Sequence, residues 1–216
     1  MEPAAGGWFI VDSMTLSPRQ RDSAQTAVPA APDEPDWVAQ AKAGSQHAWL
    51  QLVRAHQTAV YRLAYLLLGE PADAEDVAQE TFVRAYLALD RFDSTRPLRP
   101  WLLQITRNLA HNRRRSVGRY WANLKRFWER EPDTAVSHPA HDARSSARLL
   151  EHAVQKLPPK GREIVYLRYF LELSEAETAV ILDIPTGTAK SRLSRALGQL
   201  RGIIERDFPE LREMGD

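Results

Sequence analysis

The sequence predicts an all-α protein built from two small helical domains joined by a flexible linker, and three observations carry that prediction. Apolar residues recur at helical spacing, as in Ala48, Leu52, Val60, Leu63 and Leu67. No stretch alternates apolar and polar residues as a half-buried strand would. Helix punctuation is dense in the C-terminal third, where Pro158, Pro159, Ser174 and Pro185 divide the chain into short helices.

Residues 1–35 are rich in Ala, Pro, Ser and Gln without sustained periodicity, the composition of a disordered extension, and Met14 offers a second possible start. Residues 36–115 read as the first helical domain. Ala48, Trp49, Leu52, Val53, His56, Val60, Leu63, Ala64 and Leu67 step along one helical face, and Gly69 and Pro71 end the run. The next helix is expected to begin at Asp73 as N-cap and to bury Ala78, Phe82, Ala85, Tyr86 and Leu89. A loop over 91–100 follows, stiffened by Pro97 and Pro100. A helix from Trp101 to about Arg115 turns Leu102, Leu103, Ile105 and Leu109 inward. Residues 116–146 form the linker, with a short aromatic helix expected over Tyr120 to Arg130. Residues 147–206 are the second helical domain, and 207–216 a C-terminal tail.

The second domain carries the most informative segment. Ile164, Leu167 and Leu171 recur at helical spacing after Pro158 and Pro159. Ser174-x-x-Glu177 is a capping box, so a helix should start at Ser174 and run to about Leu182. Asp183, Ile184 and Pro185 force a short turn, with Pro185 suited to the first position of the next helix. Asp183 stands where glycine would most easily adopt the left-handed helix-end conformation, which Asp tolerates better than most residues. In the last helix Leu193, Ala196, Leu197, Leu200 and Ile204 share one face, while Thr188, Ser191, Arg192 and Arg195 share the other. Two short helices around a tight turn, the second offering hydroxyls and guanidinium groups, suit the DNA major groove. A helical hairpin that merely keeps a basic face wet has a similar composition. The short turn favours DNA, because it fixes a near-perpendicular helix pair.

Composition excludes several chemistries. The chain has 216 residues, 44% of them hydrophobic and 26% charged, and no cysteine. Disulfides, thiolate nucleophiles and zinc–thiolate sites are therefore excluded. No run approaches the ~20 apolar residues of a membrane span. Met1 to Val11 lacks a basic residue and its apolar core is too short for a signal peptide, so the cytoplasm is the expected compartment. His56 on an apolar face reads as a packed residue. His138-x-x-His141 has no third ligand at plausible spacing, so no metal is expected. No phosphate loop or nucleophile elbow is present, and no cofactor or catalytic residue is expected.

Net charge is only +1, but its distribution is uneven. Glu70, Asp73, Glu75, Asp76 and Glu80 form an acidic run without a base. Between residues 107 and 130 the charges are basic, from Arg107, Arg113, Arg114, Arg115, Arg119, Lys125, Arg126 and Arg130, against Glu129 alone. Two partners would explain this, one electropositive and one made of phosphates. The basic loop over 91–100 leads into a helix bearing Gln104, Asn108 and Asn112 among its cations. That mixture suits unpaired bases held in pockets while cations track the backbone. Trp101 and Phe92 are read as core; Arg113 to Arg115 serve equally well as a solvated helix end.

Asp73-Ala-Glu-Asp-Val-Ala-Gln-Glu80, Arg91-Phe-Asp93, Trp101-Leu and Arg107-Asn-Leu-Ala110 resemble region 2 of bacterial RNA polymerase sigma factors. Leu157-Pro-Pro, Glu163-Ile-Val, Leu167-Arg-Tyr and Ile184-Pro-x-Gly-Thr-x-Lys-Ser-Arg-Leu193 resemble their region 4, and the compact size resembles the extracytoplasmic-function (ECF) group. The resemblance implies a transcription initiation factor. Its acidic helix would dock on a coiled coil of the largest subunit of core RNA polymerase through Asp73, Asp76, Gln79 and Glu80, with Arg84 at the rim. A flap region of the polymerase is a further implied contact. Asp93, Ser94, Thr95, Arg96, Arg99 and Asn108 would lie near an extruded base of the −10 element, with Arg113 and Arg114 on phosphates. Thr188, Lys190, Ser191, Arg192 and Arg195 would read the −35 element as duplex promoter DNA. An anti-sigma factor is a further partner the family implies. Pro97, Pro100, Asp183, Ala189 and the aromatic linker depart from the usual pattern. Two other classes compete: a conventional helix-turn-helix regulator that binds duplex without polymerase, and a helical adaptor that binds only protein.

Overall fold

The structure is a computed structural model that describes residues 34–127 and 146–213, with side chains described for 34–115 and 149–211. The expected N-terminal extension (but for Glu34 and Pro35), His138, His141 and most of the linker lie outside the described residues. Every regular element among the described residues is helical. The first domain comprises α1 (Glu34–Lys42), α2 (Gln46–Leu68), α3 (Pro71–Ala88) and α4 (Leu98–Phe127). The second comprises α5 (Ser146–Gln155), α6 (Pro159–Val165), α7 (Glu175–Leu182), α8 (Thr186–Asp207) and α9 (Glu210–Glu213).

Local chemistry sets most boundaries. The Ser45 side chain accepts from the Ala48 N–H and starts α2, and Gly69 ends it at φ 79° with its N–H donated to the Tyr65 carbonyl. Contrary to expectation, α3 begins at Pro71, two residues before Asp73, with Glu70 as an N-cap that makes no side-chain bond. Proline's fixed φ suits a first helical turn, where the missing N–H removes no bond. Leu89 to Arg91 form a tight turn. The next helix starts at Leu98 rather than Trp101, since Pro100 falls in its first turn and is tolerated there. It also runs past Arg115 to Phe127, so the first part of the expected linker, including Tyr120 to Phe127, continues α4. The expected tail contains α9, and Phe208 is buried beneath it.

The first domain packs α2, α3 and α4 against one another, with α1 along α2. Leu52, Leu63, Leu98, Leu102 and Leu103 are each no more than 1% exposed. The inward stripe of α3 differs from the expected one. Ala74, Val77, Thr81 and Ala85 are buried, Ala78 and Phe82 are half-buried, and Tyr86 is 52% exposed. Small residues face inward because the helices approach closely, and Thr81 satisfies its hydroxyl by donating to the Val77 carbonyl at 2.8 Å. His56 is a packed residue, 3.0 Å from the Glu34 carboxylate.

In the second domain α8 is the central helix, touched by α5, α6, α7 and α9. Gly161 lets α6 approach α8 closely, since a Cβ there would lie 3.4 Å from that of Ala196. After Val165 the backbone widens into a π turn over Tyr166–Phe170 before α7. The capping box at α7 is complete: Ser174 Oγ accepts from the Glu177 N–H, and the Glu177 carboxylate accepts from the Ser174 N–H at 2.8 Å. Asp183 ends α7 in the left-handed conformation at φ 54°. Pro185 then caps α8, one residue outside it. Ala189, Leu193, Ala196, Leu200 and Ile203 form the buried face of α8. The two domains touch through α4 and α7, and one set of buried apolar side chains runs through both.

Candidate nucleic-acid and protein interfaces

Three surfaces follow from these helices. The first is the outward face of α3. Asp76, Gln79 and Glu80 are exposed and Asp73 is half-buried. Glu80 accepts from Arg84 Nε at 2.7 Å, an i,i+4 pair. The same face continues into Val83 and Leu87, which are 53% and 78% exposed, with Tyr86 beside them. The carboxylates therefore sit at one end of a helical stripe whose other end is apolar. Sequence reading missed that apolar half, because it assigned Tyr86 to the core.

The second surface is the loop before α4 and the start of that helix. Asp93 accepts from the Thr95 N–H at 3.0 Å and from the Thr95 hydroxyl at 2.7 Å, and lies 3.4 Å from Arg96 Nε. These bonds hold the Asp93 carboxyl below its ordinary range and shape the loop as a turn. Ser94, Thr95 and Arg96 are exposed on it. Lys42 Nζ donates to the Phe92 carbonyl at 2.5 Å, and Phe92 stacks on Trp101 with ring centres 4.7 Å apart. Phe92 is thus core, as expected, while Trp101 is half-buried and packs against that core. Asn108 and Arg114 are exposed on α4.

Two residues grouped with that surface are engaged elsewhere. Arg113 donates to Asp73 at 2.6 Å and to Asp76 at 3.2 Å, so it ties α4 to the acidic end of α3. Arg99 donates from Nη2 to the Leu171 carbonyl of the second domain at 2.9 Å. Burial lowers the Arg99 pKa, an effect that Glu177 and Glu172 partly offset.

The third surface is the outer face of α8. Thr188, Lys190, Ser191 and Arg195 are exposed away from the buried stripe, and Arg192, at the edge of that stripe, is half-buried. The Ser191 hydroxyl donates to the Thr188 carbonyl at 3.1 Å, and Arg195 Nε donates to the Ser191 carbonyl at 3.2 Å.

A buried ion cluster that the sequence did not reveal joins the domains. Glu163 on α6 is 4% exposed and accepts from Arg107 Nε at 2.7 Å, and lies 2.9 Å from His111 Nε2. Burial pushes its carboxyl upward, but the bonds to His111 and Arg107 outweigh that and hold it below 4.5. A depressed carboxylate stabilises the fold above its ordinary value and loses that contribution as pH falls through the lowered one. The Glu163 contribution to the thermal midpoint should therefore be lost as pH falls below 4.5, and Glu163→Gln should make the acid limb shallower, with Glu34 and Asp207 still contributing to it. An acid limb identical in both proteins would show that Glu163 is not responsible.

These features define the class: a two-domain helical protein with a helix-turn-helix in its second domain and an exposed face, part acidic and part apolar, on α3 of its first. The family model of sigma-70 region 2 matches residues 52–120, and that of sigma-70 region 4 matches residues 147–200. The chain is 34% identical to the ECF RNA polymerase sigma factor SigW of Bacillus subtilis, over 76% of this chain and 92% of that protein. It is 37% identical to the ECF sigma factor SigE of Mycolicibacterium smegmatis, over 82% of this chain and 71% of that protein. Among solved structures it resembles CnrH in complex with the cytosolic domain of CnrY, with TM-score 0.60 and 30% identity, covering 81% of this chain and 99% of that one. It also resembles RpoE bound to the anti-sigma factor NepR from Bartonella quintana, with TM-score 0.59 and 27% identity, covering 73% and 96%. The chain belongs to the ECF group of RNA polymerase sigma factors, which are transcription initiation factors. No described helix is long and apolar enough to cross a membrane.

Proposed function

We propose that this chain is a dissociable cytoplasmic initiation factor that lends promoter specificity to core RNA polymerase, which alone performs the catalysis. The observation that carries the reading is the separation of charge on one fold: carboxylates on the outer face of α3, cations and amides on α4, and a basic helix-turn-helix face on α8. Asp73, Asp76, Gln79 and Glu80 dock on a basic coiled coil of the polymerase, and Val83 and Leu87 extend that contact with apolar area. Asp93, Ser94, Thr95, Arg96, Arg99 and Asn108 surround an unpaired base of the −10 element, with Arg113 and Arg114 on its phosphates. Trapping that base offsets an unstacking cost of about a few kcal/mol. Thr188, Lys190, Ser191, Arg192 and Arg195 contact the −35 duplex in the major groove. The likeness to RpoE, solved in complex with the anti-sigma factor NepR, supports an inhibitor of that kind as a further partner.

The test is run-off transcription with core polymerase and a pool of promoter fragments. Transcripts that depend on this chain are expected. Binding of duplex without polymerase, with no transcript, would instead mark a conventional helix-turn-helix regulator. Replacing Arg192 by Ala should cost roughly 1–3 kcal/mol of −35 binding and relax sequence choice there. Equal loss on all sequences would reduce Arg192 to a phosphate contact.

A further inference from the structure

Four side chains of the DNA-facing helix α4 are turned toward the second domain rather than toward solvent. Arg99 reaches the Leu171 carbonyl and Gln104 reaches the Val180 carbonyl at 3.4 Å. Arg107 and His111 converge on Glu163. Gln104, Arg107 and His111 follow the i, i+3, i+7 spacing of one helical stripe, adjacent to exposed Asn108. A cavity of about 600 Å³ opens beside this cluster, between α4, α6 and the end of α2 at Leu66 and Leu67. Arg107, His111, Arg114 and Arg115 line it from α4, and Lys160 and Arg162 from α6, with Glu163 as its single carboxylate.

We propose that Glu163 is an internal surrogate for a promoter phosphate: it occupies Arg107 and His111, two further DNA-contacting residues, and so keeps the −10 face of α4 closed against the second domain. The inference rests on the assignment of α4 to DNA given above. A carboxylate and a phosphate accept the same charge-assisted bonds from guanidinium and imidazole N–H groups. Glu163 needs those donors, because a buried carboxylate left without partners is strongly unfavourable. Opening is therefore an exchange. Arg107 and His111 pass to the nucleic-acid backbone while Glu163 passes to water, and Arg99 and Gln104 are released with them. Without Glu163 every charge lining the cavity would be a cation, beside the amides of Asn108 and Asn112, a lining that suits a polyanionic strand.

The absence of cysteine makes the test direct. Ala55→Cys and Gly198→Cys place dyes on exposed sites of the two domains, with open space around Gly198. Energy transfer then reports closure, and a short oligothymidylate reports backbone binding independent of sequence. Glu163→Gln is expected to lower transfer and to raise oligothymidylate affinity about tenfold or more. Adding Arg107→Ala should return the affinity to the unsubstituted level. Pairing Arg107→Glu with Glu163→Arg should restore transfer, and it decides the matter if Glu163→Gln fails to fold. Unchanged transfer, opening without gain in affinity, gain without opening, or a charge swap that does not reclose would each overturn the proposal. Polymerase-dependent transcription by the unsubstituted chain, measured alongside, reports separately on the initiation role. It survives failure of the Glu163 inference, and its absence refutes the initiation role whatever Glu163 does.

Discussion

Replacing Asp76 and Glu80 together by Lys should reduce affinity for core RNA polymerase at least about a hundredfold, and polymerase-dependent transcripts should vanish with it. Two like-charge contacts against a basic coiled coil disfavour docking, and tenfold in affinity corresponds to about 1.4 kcal/mol. The fold should survive, because both side chains are about half exposed or more, at 63% and 46%, and make only surface pairs. Circular dichroism and the denaturation midpoint should therefore hardly change. Asp76 also receives Arg113, so Arg113→Ala in the unsubstituted background is the control for loss of that pair. Retained polymerase binding by the doubly substituted chain would remove α3 as the docking element.

The second large effect is on stability. Leu167→Ala should destabilise the helix-turn-helix domain by about 2–5 kcal/mol, the range for emptying a well-packed Leu site. Leu167 is fully buried within the π turn, and the Leu173 N–H donates to its carbonyl, so the cavity falls where α6 is joined to α7. Denaturant midpoint should fall with little change in slope, and −35 duplex binding should be lost in proportion to the unfolded fraction. Tyr169→Ala, two residues away and 56% exposed, should change stability by less than about 0.5 kcal/mol. Equal effects at the two positions would mean that the turn is not packed as described.

What the sequence made legible was local. The capping box at Ser174 and Glu177 and the left-handed Asp183 are fixed by neighbours within four residues, and the structure has both. Leu193, Ala196 and Leu200 of the inward stripe of α8 were legible for the same reason, whereas Ala189 and Ile203 are buried unforeseen and Leu197 and Ile204 are half-buried. Errors arose where size stood in for position. Tyr86 reads as core by its ring, yet the face of α3 that meets α2 and α4 takes Ala74, Val77, Thr81 and Ala85. The end of α4 was misplaced because the basic, aromatic stretch after Arg115, with Gly118 in it, reads as linker, although no proline interrupts it before Phe127. Glu163 was legible only as part of a family motif. Its partners lie 52 and 56 residues away, and no periodicity reports a contact between domains.

Division of labour between polymerase docking and capture of unpaired DNA is the central claim. A fluorescent adenine analogue placed in the −10 element of a bound promoter reports it most directly, since its emission rises when the base leaves the stack. The signal should rise only when this chain and core polymerase are both present, and Asn108→Ala should diminish it. A base that stays stacked in the polymerase-bound complex, while the chain alone holds the same duplex equally well, would contradict the claim.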